Sequence, residues 1–166
     1  MRSEDKQITV AYYPLALNLK GRLAVVIGGG FVAQRKVKAL LGAKARLKIV
    51  SPTLTAGLKR LALQGKAVWI PRPVRRSDVK GAHIVVAATS DNRVNRDVSR
   101  WAHREGVWVN VVDNSGLSDF ISPAVLKKQT AIIAVYTDGK DPVLSRDLKN
   151  FLKEHWDVFL SYRHRL

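Results

Sequence analysis

The sequence predicts an α/β fold centred on a doubly wound parallel sheet, joined to a small strand-plus-helix region at its C-terminal end. Three observations lead there. The run Leu23-Ala24-Val25-Val26-Ile27 passes straight into Gly28-Gly29-Gly30 and then into a stretch of helical period. Short apolar runs and helical stretches go on alternating as far as Val112. Beyond Asp113-Asn114-Ser115-Gly116 the alternation stops, and one apolar run precedes one long amphipathic stretch.

Leu23 to Ile27 is continuously apolar, which predicts a strand buried on both faces. After the glycines, Val32, Ala33, Val37, Leu40 and Leu41 share one helical face, and Gly42 ends the helix. Ala45 to Val50 is a second strand, and Leu54 to Leu63 a helix with its basic residues outward. Ala67 to Ile70 is a weaker strand, stopped by Pro71 and Pro73. His83 to Ala88 is a buried strand ending in Thr89-Ser90-Asp91; Asn92 to Arg104 is the next helix and Val107 to Val112 the next strand. Ala131 to Tyr136 then reads as a strand, Thr137 to Asp141 as a turn, and Val143 to Leu160 as one long helix. Asp141 is suited to cap that helix and Pro142 to open it. Residues 1–113 are expected to form a nucleotide-binding domain and 114–166 the smaller region.

The glycine turn has the Gly-x-Gly-x-x-Ala spacing of a dinucleotide-binding, Rossmann-like unit. Gly28 lets the chain leave the strand in a tight turn, Gly30 has no Cβ to hold a pyrophosphate off the backbone, and Ala33 keeps the helix close to the sheet. The phosphates then meet the unpaired N–H groups where the helix opens at Phe31 and Val32, at the positive end of its dipole. Arg35 and Lys36 are read as part of the first helical turn, against the dipole, a conflict that a bound polyanion relieves. Thr89, Ser90, Asn110 and Val111 stand at strand ends that in such folds approach the ribose and nicotinamide. Ser51 ends the second strand, where many NAD sites carry Asp or Glu. Its hydroxyl can bond a ribose hydroxyl, and the position neither repels a 2′-phosphate nor offers an arginine for one.

With 166 residues, 46% of them hydrophobic, the chain suits one domain with a core and a small extension. The absence of cysteine removes disulfides, thiolate metal sites and thiol nucleophiles together. Met1 to Val10 is polar and charged, with no leader pattern, and no stretch reaches the length of a membrane span; a soluble, cytoplasmic protein is expected. A formal charge of +16 implies an acidic partner. His83, His103, His155 and His164 have no metal-ligand spacing, so no resident metal is expected.

Several runs together carry more than a generic nucleotide motif: Tyr13-Pro14-Leu15; Val26 through Val37 with Gln34-Arg35-Lys36; Ala87-Ala88-Thr89-Ser90-Asp91 with Val94-Asn95; and Asn110-Val111-Val112-Asp113 with Phe120 and Pro123-Ala124. In this order, and over nearly the whole chain, they resemble the precorrin-2 dehydrogenases, the dehydrogenase modules of siroheme synthases. The resemblance implies oxidation of precorrin-2 to sirohydrochlorin with NAD as hydride acceptor, in some members joined to iron or cobalt insertion. It also implies a homodimer, with Ile132 to Tyr136 and the helix after Pro142 supplying much of the contact, and no nucleic acid or membrane partner.

On this reading the basic balance serves a tetrapyrrole bearing eight carboxylates, and Arg35, Lys36 and Lys140 are the substrate contacts to expect. Asp113, by spacing alone, either closes a turn over Asn114 or faces the ligand crevice. The resemblance makes it the catalytic residue, taking the proton whose loss completes the conjugation, orienting the macrocycle, or taking pyrrole protons during metal insertion. Two departures are visible. The usual Ser-Pro opening the long helix is Asp141-Pro142 here, and the sequence ends at Leu166 without the further helical region of relatives, which predicts a more open cleft and leaves chelatase activity in doubt.

Two other readings stay open. A dinucleotide-sensing regulatory module would use the same turn without turnover, and a charge-driven nucleic-acid binder would account for the basic balance, although no recognition motif for DNA or RNA is present.

Overall fold

The computed structural model describes residues 12–112 and 114–163. Asp113, Met1 to Val10 and His164, all read above from the sequence, lie outside the described residues. The chain divides into two compact units, Ala16–Ile121 and Ser122–Leu166 together with Met1–Leu15.

In the larger unit five strands form one parallel sheet: β1 (Leu23–Ile27), β2 (Arg46–Val50), β3 (Val68–Ile70), β4 (Ile84–Ala87) and β5 (Trp108–Val111). Their order is β3-β2-β1-β4-β5, so the direction of winding reverses between β1 and β4. That gap is the switch point at which such sheets bind ligands. The helices α1 (Phe31–Gly42) and α2 (Ala56–Leu63) cover one face, where Ala33, Val37 and Leu58 meet Ala24, Val26, Leu47, Ile49, Ile84 and Val86. The helix α3 (Asn92–Arg104) covers the other, with Val98 and Ala102 against Val25, Ile27, Val85, Ala87, Val109 and Val111. Alternate residues of one strand thus feed two cores, which is why β1 and β4 read as unbroken apolar runs.

The outer edge of β5 is closed by side chains in place of a sixth strand. Ser118 Oγ accepts from Val111 N and Asp119 Oδ2 from Val109 N, both at 2.8 Å, while Asp119 N donates to the Val109 carbonyl at 2.8 Å. Residues 114–121, assigned by the sequence to the second region, are bound to β5 in this way and cluster with the sheet; the compact units divide after Ile121.

The smaller unit holds a strand that the sequence pattern did not show, β6 (Ala124–Lys128), paired antiparallel with β7 (Ala131–Val135). Their link is Gln129-Thr130, with Gln129 at φ 51°. The single helix expected from Val143 to Leu160 is two, α4 (Pro142–Glu154) and α5 (Trp156–Arg163). They meet at His155, whose N and Nδ1 both lie within hydrogen-bond distance of the Phe151 carbonyl, at 3.0 and 2.9 Å. Asp141 caps α4, its Oδ1 accepting from Leu144 N at 2.7 Å. Among the described residues no helix is long and apolar enough to cross a membrane.

Candidate functional site

β1 ends at the glycine turn, and each glycine there meets a different constraint. Gly28 has φ +120°, and a Cβ on it would drive into the Ala88 carbonyl and stand 3.3 Å from Thr89 N. Gly29, to which the sequence analysis gave no task, is enclosed by the loop between β2 and α2. A Cβ there would collide with the Thr53 carbonyl and lie 2.8 Å from Ser51 Oγ, and its own carbonyl accepts from Thr55 N at 2.9 Å. Gly30 is the opposite case: a Cβ would meet no atom within 4 Å. The backbone is open on that side.

Behind Gly30 the first N–H groups of α1 have no intrahelical partner. Three other helices have a side-chain oxygen at their starts: Thr55 for α2, Asp91 for α3 and Asp141 for α4. α1 has no side-chain cap and no acidic residue in its first turn. With α1 opening at Phe31, Arg35 and Lys36 fall in its second turn, so the expected conflict with the dipole is absent there. What favours an anion is the uncapped end itself. Phe31 is 82% exposed at this opening, and Val32 is half-buried.

Ser51 comes next to the turn as expected, its hydroxyl against Gly29. The residue is buried, and it is held by the bonds from Ser51 N to the Ile70 carbonyl at 3.2 Å and from Trp69 Nε1 to its own carbonyl at 2.9 Å. Arg72, just past β3, makes a bidentate pair with Asp78, at 2.8 Å on each arm. This pairing, with the Arg75 N–H, holds the Asp78 carboxyl below the usual range against the opposing effect of burial.

Across the switch point, Thr89 is bound by a residue whose role sequence reasoning missed. Asn95, 4% exposed on α3, accepts from Thr89 N at 3.3 Å, donates from Nδ2 to the Thr89 carbonyl at 3.0 Å, and has Thr89 Oγ1 at 2.7 Å from its Oδ1. Ser90, the next residue, is exposed. The signal was present in the Val94-Asn95 run, but nothing in its spacing revealed the partner. On β5, Asn110 engages both ends of its amide, with Oδ1 accepting from Lys36 Nζ at 3.1 Å and Nδ2 donating to the Phe120 carbonyl at 3.0 Å. Val111 buries its side chain in the α3-side core and gives its N–H to Ser118. The expected substrate contacts divide: Arg35 is exposed on α1, Lys36 is half-buried beside Asn110, and Lys140 belongs to the smaller unit, paired with Asp138 at 3.1 Å.

The turn, the open backbone at Gly30, the uncapped α1 and the nearby Ser51 fit a dinucleotide, and they define an NAD(P)-binding Rossmann domain. Residues 15–124 match the family model described as "Putative NAD(P)-binding". The chain is 41% identical over 143 residues to a siroheme synthase of Nitrosomonas europaea, an alignment covering 86% of this chain and 30% of that protein. A siroheme synthase of Pseudomonas paraeruginosa is 40% identical over 145 residues, covering 87% and 31%. Among solved structures, "SirC, precorrin-2 dehydrogenase" superposes with a TM-score of 0.75 at 28% identity, covering 87% of this chain and 71% of that one. The chain belongs to the siroheme synthase and precorrin-2 dehydrogenase family. It spans about a third of the length of the curated relatives it matches.

Proposed function

We propose that this protein oxidises precorrin-2 to sirohydrochlorin, in the cytoplasm, with NAD as the hydride acceptor. The observation that carries this reading is the turn Gly28-Gly29-Gly30, closed by its neighbours on two sides and open on the third, leading into a helix start with neither cap nor acid. Support for the substrate comes from the relatives, which are named siroheme synthase and precorrin-2 dehydrogenase, and from the +16 charge, which suits a polycarboxylate.

When bound, NAD supplies the acceptor for the hydride that leaves the ring carbon. The residues have the remaining work. Gly28 carries the tight turn and Gly30 admits the pyrophosphate to the backbone, Phe31 and Val32 offer the first N–H groups of α1, Ser51 meets a ribose hydroxyl, and Thr89 and Ser90 line the switch point. Arg35 and Lys36 hold substrate carboxylates. Asp113, two residues beyond β5, accepts the proton lost as the conjugation is completed. One hydride and one proton leave, which balances the two-electron oxidation. Positioning does most of this work, since no nucleophile or metal is required.

The protein acts as a homodimer on this reading. The smaller unit supports it: Ile132 on β7, Leu144, Leu148 and Phe151 on α4, and Phe159 on α5 are all exposed. Sedimentation of the protein and of Leu148→Glu tests this; a wild-type monomer would overturn it. The enzymatic reading is tested by giving the protein precorrin-2 and NAD without oxygen and following NADH.

A further inference from the structure

A peptide flanked by two glycines has no side chain to resist its rotation. In the turn after β1 one end of such a peptide is tied, because the Gly29 carbonyl accepts from Thr55 N at 2.9 Å. The peptide unit is planar and trans, so fixing that carbonyl also fixes the Gly30 N–H, which points the opposite way, away from Thr55. Next to it lie the open backbone at Gly30 and the uncapped start of α1.

Thr55 is itself held from α1. Its hydroxyl donates to Gln34 Oε1 and accepts from Leu58 N at 3.3 Å. Gln34 N in turn donates to the Gly30 carbonyl at 3.0 Å. The bonds therefore run from Gly29 through Thr55 and Gln34 back to Gly30, a closed ring around the Gly29–Gly30 peptide. Capping of α2 needs only an acceptor for Leu58 N, which the Thr55 hydroxyl supplies without Gln34.

Gly57 makes room for the ring. It is the second residue of α2, where alanine would favour the helix, and its φ is not in the left-handed region. A Cβ there would collide with the amide end of Gln34, whose Oε1, Cδ and Nε2 are the three nearest atoms. The stability of α2 does not explain this glycine; the Gln34 amide does.

We propose that Gln34 is a positioning residue for the dinucleotide: through Thr55 it holds the Gly29–Gly30 peptide in the orientation that receives the pyrophosphate, and Gly57 leaves the space its amide needs. The proposal rests on the reading of the turn as the dinucleotide site. The gain is pre-organisation, since a peptide that is already oriented loses less freedom when the ligand binds.

Isothermal titration with NAD, paired with melting curves, is carried out on the wild type, Gly57→Ala, Gln34→Ala and the double variant, with Gly30→Asp as the control for the site. Gly57→Ala should melt no lower than the wild type, since its methyl displaces only the end of a flexible side chain and alanine favours the helix. It should nevertheless bind NAD about fivefold more weakly, as expected for the loss of one hydrogen bond. Gln34→Ala should lose a similar factor, and adding Gly57→Ala to it should cost no further affinity, because the amide that the methyl would displace is gone. A merely structural bond predicts the opposite split, in which NAD affinity stays and only the melting temperature moves. Gln34→Ala puts a good helix former in α1 and keeps the test intact should Gly57→Ala melt low. Unchanged NAD affinity in Gln34→Ala, or losses that multiply in the double variant, would overturn the proposal. If Gly30→Asp binds NAD like the wild type, the turn is not the phosphate site and the positioning role falls with it. If Gly30→Asp binds weakly while Gly57→Ala and Gln34→Ala bind normally, the positioning role alone is contradicted.

Discussion

The backbone carbonyl of Ala88 occupies the space in which a Cβ on Gly28 would stand, so the residue after β1 can lie this close to the residue after β4 only if it is glycine. This contact fixes the width of the switch point, and it separates the two ends of the glycine motif by function. Gly28→Ala should destabilise the protein by more than about 1 kcal/mol, through the clash and the left-handed φ, as read from the melting temperature. Gly30→Asp should melt like the wild type, since its Cβ meets nothing, yet bind NAD about tenfold or more weakly because an anion then stands where the pyrophosphate approaches. Retained NAD affinity in Gly30→Asp would mean that the turn is not the phosphate site.

Asn95 gives a second prediction, because it bonds the N–H, the carbonyl and the hydroxyl of Thr89 from a buried position. Asn95→Ala leaves two backbone groups without partners and should cost about 1–3 kcal/mol of stability. Thr89 N is also close to Gly28, so NAD affinity should fall together with stability, which isothermal titration at a temperature where the variant is folded will read. Thr89→Val, which removes only the hydroxyl, should show smaller losses in both.

Acid stability follows from Asp78, whose carboxyl is held below its ordinary range chiefly by the hydrogen bond from Arg72. A depressed folded-state pKa stabilises the protein fully above the unfolded value of about 3.9, and that stabilisation is lost as pH falls through the lower folded value. Asp78→Asn should therefore melt lower than the wild type near neutrality, and the two melting curves should converge as pH drops below about 4. A constant difference down to low pH would contradict the pairing.

The order of strands and helices in the larger unit was legible because its elements carry strong periodic signals: the helix expected from Asn92 to Arg104 is α3 residue for residue. The smaller unit was less so. β6 turns into β7 through Gln129-Thr130, which carries no glycine or asparagine to mark a hairpin, and the break at His155 depends on a side-chain contact with the Phe151 carbonyl rather than on a glycine or proline. Within the site, the turn and the polar strand ends could be read from spacing. The enclosure of Gly29 by Thr53, and the links Asn95–Thr89 and Lys36–Asn110, could not, since each joins positions that only the packed sheet brings together.

Asp113 is open to a direct kinetic test, since Asn at this position keeps the size and removes both the charge and the capacity to take a proton. If Asp113 is the base, Asp113→Asn should lower the turnover number by roughly 10²- to 10⁴-fold with NAD affinity little changed. A smaller loss confined to KM for precorrin-2 would make it an orienting group. Normal dehydrogenation with loss of metal insertion would assign it to that step instead.

The central claim, that this protein passes a hydride from precorrin-2 to NAD, is tested by one anaerobic incubation of the wild-type protein with both compounds, followed optically. One NADH should form for each sirohydrochlorin produced, and Gly30→Asp should form it far more slowly at the same NAD concentration. Tight NAD binding with no NADH at any precorrin-2 concentration would contradict the claim and leave a dinucleotide sensor in its place.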